Sequence, residues 1–143
     1  MDYSQVDSIL TSMRDAATSC LSVPFCAYIW PGDVSPLSCE NGVSVSLSAS
    51  FGAKADGCHY LESLEIRVYL DVCQGEEPDT AEDATRAACS FYKHIVEVSN
   101  GLRQWHRDNW GCATSVIPGG FRYHSSNEDG CLRYASDWTI GII

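Results

Sequence analysis

The sequence predicts an α+β domain, in which a mainly antiparallel sheet of about five strands is packed by an N-terminal helix and a long central helix. Three segments alternate apolar and polar residues with a period of two, as half-buried strands do. Two others repeat apolar residues at helical spacing. Because no linker, internal repeat or low-complexity segment interrupts the chain, we assign residues 1–143 to a single domain.

The first predicted element is a helix over Ser4–Cys20. Ser4 and Asp7 stand at the spacing of a capping box, in which each side chain bonds a backbone N–H of the first turn. Apolar residues then recur at helical spacing, at Val6, Ile9, Leu10, Met13 and Ala17. Pro24 lies beyond the predicted end of the helix.

Three strands are predicted next. Cys26–Trp30 is short and is stopped by a Pro-Gly pair, and Val43–Ser50 alternates apolar residues with serines. A loop is expected over Gly52–Gly57. Glu62–Cys73 carries the longest alternating apolar row in the chain, so we expect it to be the central strand.

The central helix is predicted over Thr80–Leu102, with Thr80 and Asp83 as a second capping box. It is expected to end at Gly101 or to continue to Trp105. One apolar stripe consists of Ala84, Ala88, Phe91, Ile95, Val98 and Leu102. Its members Ala88, Phe91, Ile95 and Val98 should pack on the row Leu64, Ile66, Val68 and Leu70. A second stripe, Thr85, Cys89, Tyr92 and Val96, is expected to widen the buried side, with Cys89 buried beside Tyr92.

Two C-terminal strands complete the prediction. Thr114–His124 is interrupted by Pro118-Gly119-Gly120, so it should be bent or bulged, or lie at a sheet edge. Cys131–Ile143 resumes the alternation of apolar and polar residues after a polar hairpin loop.

The charge balance limits the partners of the protein. Nine basic and 19 acidic residues give a net charge of −10. Tight binding to a phosphate backbone needs clustered Lys and Arg, so it is disfavoured. No apolar run approaches the ~20 residues that span a bilayer. The first residues carry no basic or apolar segment typical of a secretory signal, so we expect assembly in the cytoplasm and no membrane partner.

The eight cysteines and four histidines form no recognisable metal or redox motif, because no two cysteines are separated by two residues. No metal and no cofactor are therefore predicted. Cysteine is among the most buried residue types, and cytosolic thiols stay reduced. We expect most of the eight to be free.

Catalytic motifs are also missing from the sequence: it contains no G-x-S-x-G, P-loop, G-x-G-x-x-G or H-E-x-x-H segment. We therefore predict no catalytic residues and a protein that is not an enzyme. An extracellular, cysteine-containing binding module is an alternative of a different class, although no secretory signal or Asn-x-Ser/Thr sequon supports it.

The order of the elements resembles that of the tail terminator family of long-tailed bacteriophages. The matching segments are Ser4–Cys20, Cys26–Cys73, Thr80–Leu102 and Thr114–Ile143, of which the last is the most similar. The resemblance implies a virion protein, assembled in the host cytoplasm, that forms a homo-oligomeric ring, usually a hexamer. Such a ring sits on the tail-tube protein, ends tube growth and meets the head–tail connector or stopper protein. Another neck or head–tail completion protein is the alternative within this class.

We expect a head-to-tail contact between subunits to cover surfaces that lack a partner inside the chain. Trp and Arg are enriched in interface hot spots. The candidate contact residues are therefore Trp105, Arg107 and Trp110, together with the serine face Ser44, Ser46, Ser48 and Ser50. The alternative for the two tryptophans is a helix end and loop in which their indole rings are partly buried. DNA would pass the lumen of the ring without specific binding. The acidic candidates for the lumen or the ring edge are Glu76, Glu77, Asp79, Glu128 and Asp129.

Overall fold

Two helices and a mixed six-stranded sheet are seen in a computed structural model, which describes residues 2–32, 42–56, 59–73, 78–109, 114–126 and 130–142. The elements follow the order α1 (Tyr3–Thr18), β1 (Phe25–Ile29), β2 (Val43–Asp56), β3 (His59–Cys73), α2 (Ala81–Asp108), β4 (Thr114–Ile117), β5 (Arg122–Ser126) and β6 (Cys131–Ile142). The α+β class is confirmed.

Helix α1 begins two residues earlier than a cap at Ser4 implies. Its N-cap is Asp2, whose carboxylate accepts hydrogen bonds from the backbone N–H groups of Ser4 (2.7 Å) and Gln5 (3.4 Å). The Gln5 side chain accepts the backbone N–H of Asp2 in return, at 3.1 Å. The predicted box of Ser4 and Asp7 is therefore wrong, because a carboxylate just before the helix already satisfies the free N–H groups.

Helix α2 begins where it was predicted, since the Thr80 hydroxyl accepts the backbone N–H of Asp83 at 3.1 Å. It continues through Gly101 to Asp108. Its buried side is centred on Phe91, Val98 and Leu102, so the first apolar stripe is confirmed at these positions. Ala88 and Ile95 are half-buried, and the prediction is wrong for Ala84, which is exposed near the N-terminal end of the helix. The expected burial of the second stripe is wrong, because Thr85, Cys89, Tyr92 and Val96 are all exposed. The stripe lies away from the side of α2 that packs on α1 and the sheet, although the Tyr92 side chain still forms a hydrogen bond with Tyr134 of β6.

The sheet has the strand order β1-β2-β3-β6-β4, and β5 also pairs with β6. β3 is central, as predicted. All pairs are antiparallel except β1 with β2, which run parallel from Phe25↔Val43 to Ile29↔Leu47. A parallel pair needs a long return connection, and the segment between Ile29 and Val43 is long enough to supply one.

β2 and β3 form a longer ladder than the sequence predicts. Their pairing runs from Val43↔Val72 to Asp56↔His59, so the loop expected over Gly52–Gly57 is strand as far as Asp56. Pairing with the long central strand outweighs the weak strand preference of the Gly-, Ala- and Lys-containing stretch.

The edge of the sheet beyond β6 is formed by β4 and β5, which together resemble one strand interrupted in the middle. β4 pairs with β6 up to Ile117↔Thr139, and β5 resumes the pairing at Arg122↔Ala135. Between them the Ser136 hydroxyl donates to the Gly119 carbonyl at 3.0 Å. The interruption predicted at Pro118-Gly119-Gly120 is thus confirmed, and it explains why six strands are found instead of about five.

The core lies between the helices and one face of the sheet, which we call the helix face. Its members are Leu10, Met13 and Ala17 of α1, Val98, Leu102 and Trp105 of α2, and Val43, Val45, Leu47, Leu64, Ile66, Val68, Leu70, Trp138 and Ile140 of the sheet. Phe91 is buried, with its ring 4.8 Å from that of Tyr134. The expected burial of Phe91 is therefore confirmed.

Candidate functional site

The face of the sheet opposite the helices, here called the second face, carries two ion pairs between β3 and β6. Arg133 Nε lies 2.7 Å from Asp71 Oδ1, and its Nη2 lies 3.0 Å from Oδ2. Arg67 Nε lies 2.7 Å from Asp137 Oδ1, and its Nη2 lies 3.3 Å from Oδ2. In each pair the arginine and the aspartate are directly opposite in register. Both contacts are therefore bidentate, cross-strand pairs.

Tyr69 lies between the two ion pairs and opposite the small residue Ala135. Its ring centroid is 4.4 Å from Cζ of Arg133 and 6.0 Å from Cζ of Arg67. The His124 ring meets it edge-on at 5.5 Å. Although Tyr69 is on the second face, it is only 1% exposed. The two guanidinium groups thus bury an aromatic ring by cation–π contact and by coverage.

The ion pairs keep both arginines charged. Hydrogen bonding to Asp137 raises the pKa of the Arg67 guanidinium, and hydrogen bonding to Asp71 raises that of Arg133. Because each guanidinium is already held by a carboxylate, neither is a ready anion-binding group. The arrangement is best suited to holding β3 and β6 in register.

An open groove of about 530 Å³ lies on the second face, beside the ion pair of Arg67 and Asp137. Its polar lining comes from hydroxyl and charged groups of three strands: Ser48 and Ser50 of β2, Glu65, Arg67 and Tyr69 of β3, and Asp137 and Thr139 of β6. Pro31 and Gly32 form part of its rim. In the described part of the chain, no three His, Cys, Asp or Glu side chains come together as a metal site.

Most cysteines were expected to be free thiols, but two of the described cysteines are paired. Cys73 and Cys131, opposite in register on β3 and β6, form a disulfide. Cys20, Cys26 and Cys89 are free, but Cys89 is exposed and not buried beside Tyr92, because it belongs to the outward stripe of α2. The other three cysteines lie outside the described residues.

Large apolar side chains are exposed at both edges of the described sheet. Near the β1 edge, Phe25 is 43% exposed and Trp30 is 44% exposed. At the opposite edge, Ile117 of β4 is 64% exposed and Tyr123 of β5 is 58% exposed. The two edges are different surfaces of the same subunit, and each presents apolar groups beside an edge strand.

The predicted contact residues lie in different environments. Trp105 is a core residue, which corrects its assignment to an interface: its Nε1–H donates to the Ser12 hydroxyl at 3.0 Å, and its ring meets that of Trp138 edge-on. The extension of α2 beyond Gly101 brings this indole against α1. Arg107 and Asp79 are exposed. The remaining candidates, Trp110, Glu76, Glu77, Glu128 and Asp129, lie outside the described residues.

The serine face is less open than expected. Ser44 and Ser46 are each only 5% exposed, whereas Ser48 is half-buried and Ser50 is exposed. The prediction that the whole row lacks cover within the chain is therefore wrong for its first half. Only the end at Ser48 and Ser50 opens into the groove.

Sequence reasoning missed the two ion pairs, although a signal for them exists. β3 contains Arg67 followed four residues later by Asp71, and β6 contains Arg133 followed four residues later by Asp137. Antiparallel pairing of two strands with the same Arg-x3-Asp spacing places each arginine opposite the other strand's aspartate.

No helix in the described ranges is both long enough and apolar enough to cross a membrane. No known protein family matches the chain, and no curated protein matches it at a significant level.

Proposed function

We propose that this protein is the subunit of a homo-oligomeric ring, acting as a tail terminator of a long-tailed bacteriophage. In this role the ring caps the tail tube, ends its growth and joins the tail to the head–tail connector. One observation supports the assembly: each of the two edges of the sheet exposes large apolar side chains, Phe25 and Trp30 at one edge and Ile117 and Tyr123 at the other. The role in the tail rests on the resemblance in the order of elements.

Exposed apolar side chains on two opposite and different edges suit a head-to-tail contact. When one edge of a subunit docks on the other edge of its neighbour, repetition of the same contact closes a ring if the rotation permits. Edge strands expose unpaired backbone groups, so such docking also satisfies N–H and C=O groups of both strands. The contact thus replaces the one first expected at the serine face and Trp105.

The charge of the subunit fits a ring through which DNA slides. Each copy carries a net charge of −10, so the assembled ring is strongly acidic. Like charge keeps a phosphate backbone from adhering to the channel wall. Other neck or head–tail completion proteins would share these requirements, and they form the alternative within the same class.

Native mass spectrometry tests the assembly. A ring appears as a multiple of the 15.7 kDa subunit. The variant Ile117→Asp should leave the subunit folded and abolish the ring, because it places a charge at the edge contact. Val96→Asp makes the same change at an exposed apolar position of α2 and should leave the ring intact.

Two results would contradict the proposal. One is a wild-type protein that stays monomeric at high concentration and binds duplex DNA at moderate salt. The other is a ring that forms equally well with Ile117→Asp. The role in the tail is tested separately, by adding purified protein to growing tail tubes and measuring whether elongation stops.

The disulfide between Cys73 and Cys131 favours a second candidate, a secreted binding module, because disulfides persist in oxidising compartments. Such a module would be monomeric in the same native mass spectra. It would also show further quantitative bridges among the remaining cysteines when unreduced protein is alkylated and mapped.

A further inference from the structure

The outer edge of β2 lacks a partner strand beyond the end of β1. β1 pairs with β2 as far as Leu47, whose carbonyl accepts the backbone N–H of Trp30 at 3.0 Å. The next residue, Pro31, has no N–H to donate, and Gly32 turns the chain with a φ of 120°. β2 continues to Asp56, so the position beside its second half is empty in the described part of the sheet.

This edge presents a row of backbone groups that point outward. Successive backbone groups along a strand point to opposite sides, so the N–H and C=O groups of Ala49, Phe51 and Ala53 point the same way as the Leu47 carbonyl. No described residue forms a hydrogen bond with them on that side. An edge of this kind is a template for pairing with another chain.

Small side chains leave the edge open on the second face. β2 carries Ser48, Ser50 and Gly52 there, and the two serines line the groove of about 530 Å³, with Pro31 at its rim. On the helix face, Phe51 is 66% exposed. A chain laid along this edge therefore meets an open groove on one side and an exposed aromatic ring on the other.

The far wall of the groove is acidic. Glu65 is exposed and lies directly opposite Ser50 in register, and no described residue pairs with its carboxylate. Arg67 is already held by both carboxylate oxygens of Asp137. A strand added beside β2 would lie roughly 10 Å from β3, at two strand spacings. A Lys or Arg side chain of that strand can therefore cross the small Ser50 and reach toward Glu65.

We propose that the outer edge of β2, from Ala49 to Ala53, binds an extended segment of a partner protein, which adds a strand to the sheet in line with β1. The outward N–H and C=O groups pair with the backbone of the segment and supply affinity, whereas alternate side chains supply specificity. Basic side chains cross the groove toward Glu65, and apolar side chains pack on Phe51. The occupant is therefore an extended peptide in which basic and apolar residues alternate.

This site is separate from the proposed ring contact, which uses the exposed apolar side chains of β1, β4 and β5. Ala49→Pro removes one outward N–H and no bond to β3, and an edge strand tolerates proline at such a position. This variant should lose peptide binding and still form the ring in native mass spectra. Ile117→Asp should do the reverse, so failure of one proposal is visible without failure of the other.

Fluorescence anisotropy with a labelled synthetic peptide tests the chemistry of the site. The probe is a short peptide of alternating Lys and Val, and a peptide of alternating Glu and Val should bind at least about tenfold more weakly. Glu65→Gln should weaken binding of the Lys-Val peptide about tenfold, because it removes the charge that the lysines reach. Ala49→Pro should weaken it by about tenfold or more, because a backbone hydrogen bond is lost. Asp79→Asn, which removes an exposed carboxylate outside the site, should have no effect.

Hydrogen–deuterium exchange locates the bound peptide. The amides of Ala49, Phe51 and Ala53 should exchange quickly in the protein alone and become protected when the Lys-Val peptide is added. The proposal would be overturned by a peptide that does not bind at millimolar concentration, by equal binding to Ala49→Pro, or by protection confined to other segments. Protection of the same amides without peptide, increasing with protein concentration, would assign the edge to a second copy of this chain and would also overturn it.

Discussion

Gly101 of α2 lies directly against the backbone carbonyl of Ala16 in α1. A Cβ built at position 101 would be 2.0 Å from the Ala16 oxygen and 3.1 Å from its carbonyl carbon. The two helices can therefore approach this closely only because position 101 has no side chain. Beside this crossing, the Nε1–H of Trp105 donates to Ser12, so a hydrogen bond joins the same two helices.

We expect Gly101→Ala to destabilise the protein by about 3 kcal/mol, because the added methyl group meets backbone atoms that must shift. In an exposed helix the same change would stabilise by about 1 kcal/mol, so the sign itself is informative. Urea unfolding measures the difference. Gly120→Ala is the control, since a Cβ there meets nothing within 4 Å. Unchanged stability of Gly101→Ala would contradict the close crossing.

Phe91 and Tyr92 are adjacent aromatic residues with opposite environments. Phe91→Ala should cost about 3–5 kcal/mol, because its ring is buried against Tyr134. Tyr92→Ala should change the free energy of unfolding by only about 0.5 kcal/mol at concentrations where the protein is monomeric, because the side chain is exposed. Thermal or urea denaturation of both variants checks this contrast, and similar losses would mean that the orientation of α2 is wrong.

The two cross-strand ion pairs differ in exposure and should differ in energy. The side chains of Arg133 and Asp71 are each 14% exposed, whereas those of Arg67 and Asp137 are 40% and 70% exposed. Asp71→Ala removes the carboxylate that pairs with a mostly buried guanidinium and should cost about 3 kcal/mol. Asp137→Ala should cost less than about 1 kcal/mol, because water solvates the exposed partner. Equal losses in chemical denaturation would count against this difference.

The disulfide between Cys73 and Cys131 joins residues 58 positions apart. Closing a loop of this length restricts the unfolded chain, and its loss in Cys73→Ser should lower the free energy of unfolding by about 4 kcal/mol in oxidised protein. Cys89→Ser removes an exposed free thiol and should have little effect. Alkylation of unreduced protein provides the direct check, since labelling of Cys73 would show that the bond is absent.

Glu97 should make stability depend on pH. Hydrogen bonding from the Ser22 side chain, and from its backbone N–H at 2.9 Å from Oε2, lowers the pKa of Glu97 below its ordinary value of 4.5. A carboxyl whose pKa is lower in the folded state stabilises the fold above pH 4.5, and this contribution is lost as the pH falls through the folded pKa. Glu97→Gln should therefore be about 1 kcal/mol less stable at pH 7.

In acid, Glu97→Gln and the wild type should have the same free energy of unfolding, because the wild-type carboxyl is then protonated and uncharged, as the Gln side chain is. Denaturation curves between neutral and acid pH measure the convergence. Glu82→Gln is the control at an exposed position of the same helix. If the free energies of unfolding of Glu97→Gln and the wild type differ by the same amount at all pH values, titration of Glu97 is not the cause of the difference.

The sequence by itself determined the elements whose signals are local. Period-two alternation located β3 and β6, the Thr80 cap located the start of α2, and Pro118-Gly119-Gly120 located the break in the edge strand. These features depend on backbone geometry and on the spacing of neighbouring residues. That is why they could be predicted without knowledge of what packs against them.

Only the tertiary structure decided which of several apolar faces is buried and which strands meet. The stripe of Tyr92 and Val96 is as apolar as many buried ones, but α2 has one covered side, and Phe91 occupies it. Trp105 is buried because α1 crosses α2 beside it. The opposition of Arg133 to Asp71 exists because β6 runs antiparallel to β3 in one register. Burial and pairing are properties of contacts between distant segments, and no spacing within one segment can supply them.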